Sequence, residues 1–210
     1  MAGQAECLIK LALLFCDDEQ LDAAEEAAFR TISILPEKGE EHRVCGSHRA
    51  LGDIYQSKGE IEKAIHHNEV ALGIASSDWH DVQFWAHYKL AILFRNEGRL
   101  DDAQTHVEHA KLHTAHSAYY LGYATQEQSE LWYEQDRLEE AKSEALRAAE
   151  IYEELGVARD VERCKRYLWH IEKRLNTPVV SSQSGFNCEF LQMVLFIAGI
   201  NFSFEAQETG

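Results

Sequence analysis

The chain has 210 residues, with 36 acidic against 20 basic side chains and a formal charge of −16. That balance argues against a nucleic-acid partner, which needs clustered Lys and Arg for its phosphate contacts, and against an anionic membrane surface. A basic or polar partner is the more natural electrostatic match.

Five widely spaced cysteines, Cys7, Cys16, Cys45, Cys164 and Cys188, contain no CxxC pair and fit a reduced, cytoplasmic protein. The apolar stretch 8–16 follows Glu6 and is interrupted by Lys10, which suits a helix rather than a signal peptide.

Taken in order, the chain repeats one pattern around four anchors, Glu19, Gly59, Gly98 and Asp136, spaced 40, 39 and 38 residues apart. Seven residues before each anchor stands a small residue (Ala12, Gly52, Ala91, Ser129) and four before it an aromatic (Phe15, Tyr55, Phe94, Trp132). Two after it comes Leu or Ile, three after it an acid, and five after it alanine (Ala24, Ala64, Ala103, Ala141). A small residue and an aromatic three positions on share a helix face. Glycine suits a left-handed residue that closes a helix, and an acid suits the first turn of the next one. Each unit therefore reads as two helices packed closely across a tight turn.

The predicted pairs are 4–17 with 21–35, 41–57 with 60–75, 79–96 with 100–116, and 117–135 with 138–155. Pro36, Lys38 and Gly39 make the first connection, and Ser76, Ser77 and Asp78 are placed to cap the helix that follows. Residues 157–175 form a ninth helix with Ala158, Val161, Cys164, Leu168 and Ile171 on one face, suited to cover the last repeat. The N-terminal unit has no visible cap, which leaves a surface for self-association.

Leu51-Gly52 with Tyr55 and Ala64, and Leu90-Ala91 with Phe94 and Ala103, resemble the tetratricopeptide repeat (TPR) signature. Pro36 stands where that signature closes. The period exceeds the family's usual 34 residues, and the chain looks more like the long-helix arrays of kinesin light chains and MalT-like regulators. Gln128 replaces the leucine in the fourth unit, and no unit has an aromatic in the second-helix slot (Ala28, Asn68, Val107, Ala145).

The resemblance implies an all-α, right-handed superhelical solenoid over residues 1–175, with repeats at about 4–38, 41–77, 79–116 and 117–156 and a capping helix at 157–175. Residues 176–210 then form a linker and an apolar, weakly ordered tail that lowers solubility. The tail's longest apolar run, 193–200, is far shorter than the ~20 residues a transmembrane helix needs. Three readings of the tail stay open: an unstructured end, a segment folding back into the solenoid groove, and a docking, self-associating or membrane-touching element.

No HExxH, P-loop, GxSxG or dinucleotide-binding glycine pattern is present, so the sequence indicates no enzyme and no cofactor. His106, His109, His113 and His116 lie at helical spacing on one stripe and are the only metal-ligand candidates that spacing offers. Val107, Ala110 and Thr114 claim the inward face, which turns the histidines to solvent, so no metal site is assigned.

The family geometry implies a concave groove lined by the first helix of each pair, and a peptide or helix of a partner protein as its ligand. The groove positions are Arg49, Asp53, Gln56, Trp85, Tyr88, Arg95, Asn96, Tyr123, Gln126, Glu130 and Tyr133. The Lys-Asn-Arg carboxylate clamp of chaperone-binding TPR domains is absent. A protein-binding scaffold or adaptor follows, or alternatively the sensor segment of a larger signalling NTPase.

Overall fold

A computed structural model describes residues 7–8, 10–12, 14–15, 20–35 and 39–177, apart from the side chain of His116. The described residues from 7 to 15 have helical backbone. They are followed by α1 (Leu21–Ile34), α2 (Glu41–Ser57), α3 (Ile61–Ile74) and α4 (His80–Asn96). Then come α5 (Leu100–Lys111), a single 3-10 turn (Thr114–His116), α6 (Ala118–Glu134), α7 (Leu138–Glu154) and α8 (Ala158–Leu175). No strand occurs among the described residues. α2 packs on α3, α4 on α5 and α6 on α7 as hairpins, each hairpin packs on the next, and α8 covers α7.

The turn inside each hairpin is built the same way four times. The backbone N–H just after the anchor donates to the carbonyl of the template aromatic: Gln20 to Phe15 at 2.8 Å, Glu60 to Tyr55 at 2.9 Å, Arg99 to Phe94 at 2.9 Å and Arg137 to Trp132 at 2.8 Å. This bond satisfies a carbonyl that the ending helix would leave orphaned. It requires a left-handed residue between the helices, and Gly98 (φ 73°) and Asp136 (φ 60°) supply one. The guanidinium groups of Arg99 and Arg137 lie 4.2 and 4.8 Å from the ring centroids of Phe94 and Trp132, so each turn is also closed over its aromatic.

Close approach of the two helices rests on the small residues. Ala12, Ala24, Ala64, Ala91, Ala103, Ser129 and Ala141 are all fully buried. In the last pair the Ser129 hydroxyl donates to the Ala141 carbonyl at 2.6 Å, joining the two small positions directly. Leu51, Ile54, Tyr55, Leu90, Leu93, Phe94, Val107 and Leu131 fill the core between repeats. On the covering helix, Val161, Cys164 and Ile171 face inward, while Ala158 is exposed.

Two local expectations need correction. The second helix of the third unit ends at Lys111 rather than at 116, because the chain turns at Leu112–His113 and continues as a 3-10 turn. The helix after Ser76, Ser77 and Asp78 is not capped by them: Trp79 is the capping residue, and Ser76 donates its hydroxyl to Asp78 instead. The readings of the tail, of Pro36 and Lys38, of Cys16 and Cys188, and of Glu19 as an anchor fall outside the described residues.

Candidate partner-binding face

The first helices of the hairpins, α2, α4 and α6, with α8 beyond them, carry all eleven sequence-predicted positions. They differ greatly in what is left for a ligand. The centre is aromatic. Trp85 and Tyr88 on α4 and Tyr123 on α6 meet with ring centroids 5.2 Å apart for both Trp85–Tyr123 and Tyr88–Tyr123, in tilted or edge-on contact. Phe84 stacks on Tyr120 beneath them at 4.2 Å and is fully buried, which holds the upper rings in place.

An arginine lies at each side of this centre. Arg49 on α2 sits 5.8 Å from the Trp85 centroid, and Arg163 on α8 sits 5.6 Å from the Tyr123 centroid. Beside Arg49, between α2, α3 and α4, is a cavity of about 150 Å³ lined by Arg43, Cys45, Ala71, Val82 and Ala86. Burial pushes the Cys45 thiol up to about 11, so this wall of the cavity is a neutral, unreactive surface.

Toward the other end of the helices, the polar positions hold the repeats together. Lys89 on α4 reaches Asp53 on α2 at 2.7 Å. Arg95 on α4 donates through Nε to Glu127 at 2.7 Å and through Nη2 to Glu130 at 2.7 Å. Glu127 is almost fully buried, and burial raises its carboxyl to about 7 against the pull of Arg95. Gln126 is also buried: its amide donates to Glu130 at 2.8 Å and its carbonyl accepts from Arg163 Nη2 at 2.8 Å. Tyr133 packs on Tyr167 of α8 with centroids 5.7 Å apart, under Arg174. Gln56 is half-buried and Asn96 exposed, each in the last turn of its helix.

The structure thus brings Arg49, Trp85, Tyr88 and Tyr123 together as a half-buried cluster. It commits Asp53, Arg95, Gln126 and Glu130 to contacts between repeats. Sequence reasoning missed Lys89, Glu127 and Arg163, the opposite members of these pairs. The complementary charge of Lys89 with Asp53 and of Arg95 with Glu127 was visible, but the one-repeat offset that pairs them depends on how far adjacent hairpins slide.

The histidine stripe is not on an outer face. Among its described side chains, His106 and His113 are half-buried against α4 and His109 is exposed. The Nδ1 atoms of His87 and His106 are 2.9 Å apart, and those of His80 and His113 are 3.2 Å apart. One repeat earlier, His48 and His67 make the same Nδ1 contact at 2.9 Å. Histidines on the neighbouring first helix, unnoticed from spacing along one helix, draw the stripe inward. Among the described residues no three or more His, Cys, Asp or Glu side chains are gathered as a metal site.

No family model matches the chain, and no curated protein matches it. Solved structures do. BtubC (BKLC) from P. vanneervenii is 17% identical, aligned over 87% of this chain and 86% of that one with a TM-score of 0.61. TPR-like repeats assigned to a kinesin light chain of Podosopora anserina are 13% identical, over 85% of this chain and 99% of that one, with a TM-score of 0.58. The fold is therefore that of a TPR-like helical-repeat array. No helix among the described residues is long and apolar enough to cross a membrane.

Proposed function

We propose that the protein is a non-enzymatic scaffold or adaptor that holds a peptide or helix of a partner protein against the face formed by α2, α4 and α6. The observation that carries this is the cluster of Trp85, Tyr88 and Tyr123 with Arg49 and Arg163 at its sides. Aromatic and arginine side chains are the usual energetic anchors of protein interfaces, and rigid, pre-packed rings lose little entropy on binding. The cavity beside Arg49 offers room for one apolar side chain of the ligand. Long-range attraction from a chain of charge −16 favours a partner of net positive charge.

Affinity capture with the wild type beside Arg49→Glu and Trp85→Ala tests the reading. Specific capture by the wild type that both variants lose supports it, and equal capture by all three contradicts it. Charge reversal at Arg95 is a poor probe, because it would break a buried ion pair rather than a contact surface.

A second reading, the sensor segment of a larger signalling NTPase, is favoured by Leu11 and Leu14. They are 39% and 60% exposed on the first helical segment and offer an apolar surface for self-association.

A further inference from the structure

Among the described residues, the seam between α4 and α5 contains five imidazoles. His80 and His87 stand two turns apart on α4. His106 and His109 stand on α5, and His113 follows in the turn after it. Their rings form a continuous zipper, with centroids 5.5 Å apart for His80–His113, 4.9 Å for His87–His109 and 5.1 Å for His87–His106.

We propose that this seam binds one divalent transition-metal ion of the zinc class, held by Nδ1 of His80 and Nδ1 of His113. The separation of the two nitrogens is compatible with it. A zinc–imidazole bond of about 2.0–2.1 Å places two tetrahedral ligand nitrogens about 3.3 Å apart. The two Nδ1 atoms are 3.2 Å apart, so an ion can enter with movements of tenths of an ångström. Without an ion, two neutral rings meeting nitrogen to nitrogen must share a single proton, since each has one donor and one acceptor.

The two ligands come from different elements, the first turn of α4 and the turn that follows α5, so the ion would clip the hairpin at its open end. The carbonyl end of α5 points toward this place and favours positive charge there. Among the described residues no third ligand is gathered there, so water is assigned to complete the coordination. That requirement separates this pair from His48–His67, while at His87–His106 the ring of His109 already stacks on His87 at 4.9 Å. His67 lies under Tyr55, stacked at 5.3 Å, with Phe29 at its edge, and is 9% exposed. That leaves no room for metal-bound water. His80 and His113 are only half-buried.

Zinc(II) titrated calorimetrically into the full chain under reducing conditions tests the assignment, with thermal unfolding followed in parallel. The expected result is one micromolar site, a rise in melting temperature with zinc, and a loss of affinity greater than about tenfold in His80→Gln and in His113→Gln. His48→Gln is expected to bind zinc as the wild type does. Copper(II) in place of zinc should give an electron paramagnetic spectrum with coupling to two nitrogens, lost in the same two variants. Absence of binding, or binding kept by His113→Gln, overturns the proposal. So does binding lost on thiol blocking alone, which would assign the ion to cysteine. His80 and His113 are half-buried and lie near helix ends, and unchanged melting without metal will show that each substitution leaves the fold intact.

Discussion

Arg49 lies over the indole of Trp85, 5.8 Å from the ring centroid, so a cation of the second repeat rests on the aromatic centre formed by the third and fourth. Arg163 makes the matching contact on Tyr123 from the opposite side at 5.6 Å. The cluster therefore draws on α2, α4, α6 and α8 at once, and its shape depends on the stacking of the repeats.

That stacking rests in part on Arg95. It is held by two carboxylates of α6, and the Glu127 side chain is only 3% exposed. Removing the guanidinium leaves a buried carboxylate without its partner. Arg95→Ala should lower unfolding stability by about 3–5 kcal/mol, read from the urea midpoint. Arg95→Ala combined with Glu127→Leu should recover much of that loss, because the double change leaves no orphaned charge.

The hairpin turns give a paired prediction. Gly98 and Asp136 occupy equivalent left-handed positions, with φ of 73° and 60°. A side chain there is strained, although aspartate tolerates the region better than most residues. Gly98→Ala should cost about 1 kcal/mol in thermal or urea unfolding. Asp136→Gly should gain up to about 1 kcal/mol, reduced by loss of the exposed Asp136–Arg174 ion pair at 3.0 Å.

Much of this was legible in the sequence. The four anchors located every hairpin turn in the described residues, because the turn chemistry and the small contact residues are local and repeat together. The face carrying the candidate site was legible for the same reason. Its internal pairing was not. Lys89 with Asp53, Arg95 with Glu127 and Arg163 with Gln126 each join helices one repeat apart, and a periodic template does not specify that offset. The histidine pairs were missed although a signal existed: His48 and His67 recur 39 residues later as His87 and His106. The template is periodic in apolar and small residues, where burial is expected, and imidazole is ambiguous between core and surface.

The His48–His67 pair makes stability depend on pH. Burial, with His48 and His66 nearby, lowers His67 to about 4, while Glu25 of α1 partly offsets this and Lys63 of α3 adds to it. Burial also lowers His48. Between pH 6.5 and 4 the unfolded chain therefore binds more protons at this site than the folded one. The site's contribution is fully present above about 6.5 and lost as pH falls toward 4, on the order of 3 kcal/mol for His67. Urea midpoints measured from pH 7.5 to 4.5 should fall less steeply in His67→Gln than in the wild type. Buried Glu127 titrates with the opposite sign, its contribution weakening as pH rises toward 7, so the difference between variants carries the result.

Gly122 tests how tightly the fourth repeat is packed. A Cβ at this position would lie 2.7 Å from Cε1 of Tyr152, a ring with no solvent exposure. Gly122→Ala should destabilise the array by about 1–3 kcal/mol, read by urea unfolding. Tyr152→Leu in the same background should return part of the loss by shortening the opposing side chain.

A partner protein is proposed to bind at the Trp85–Tyr88–Tyr123 cluster. The most direct measurement maps hydrogen–deuterium exchange of the full chain with and without a captured partner, beside the Trp85→Ala variant at matched melting temperature. Protection is expected on α2, α4 and α6 around Arg49, Trp85 and Tyr123, with binding at least about tenfold weaker in the variant. Protection confined to the second helices α3, α5 and α7, with full affinity retained by Trp85→Ala, would contradict it.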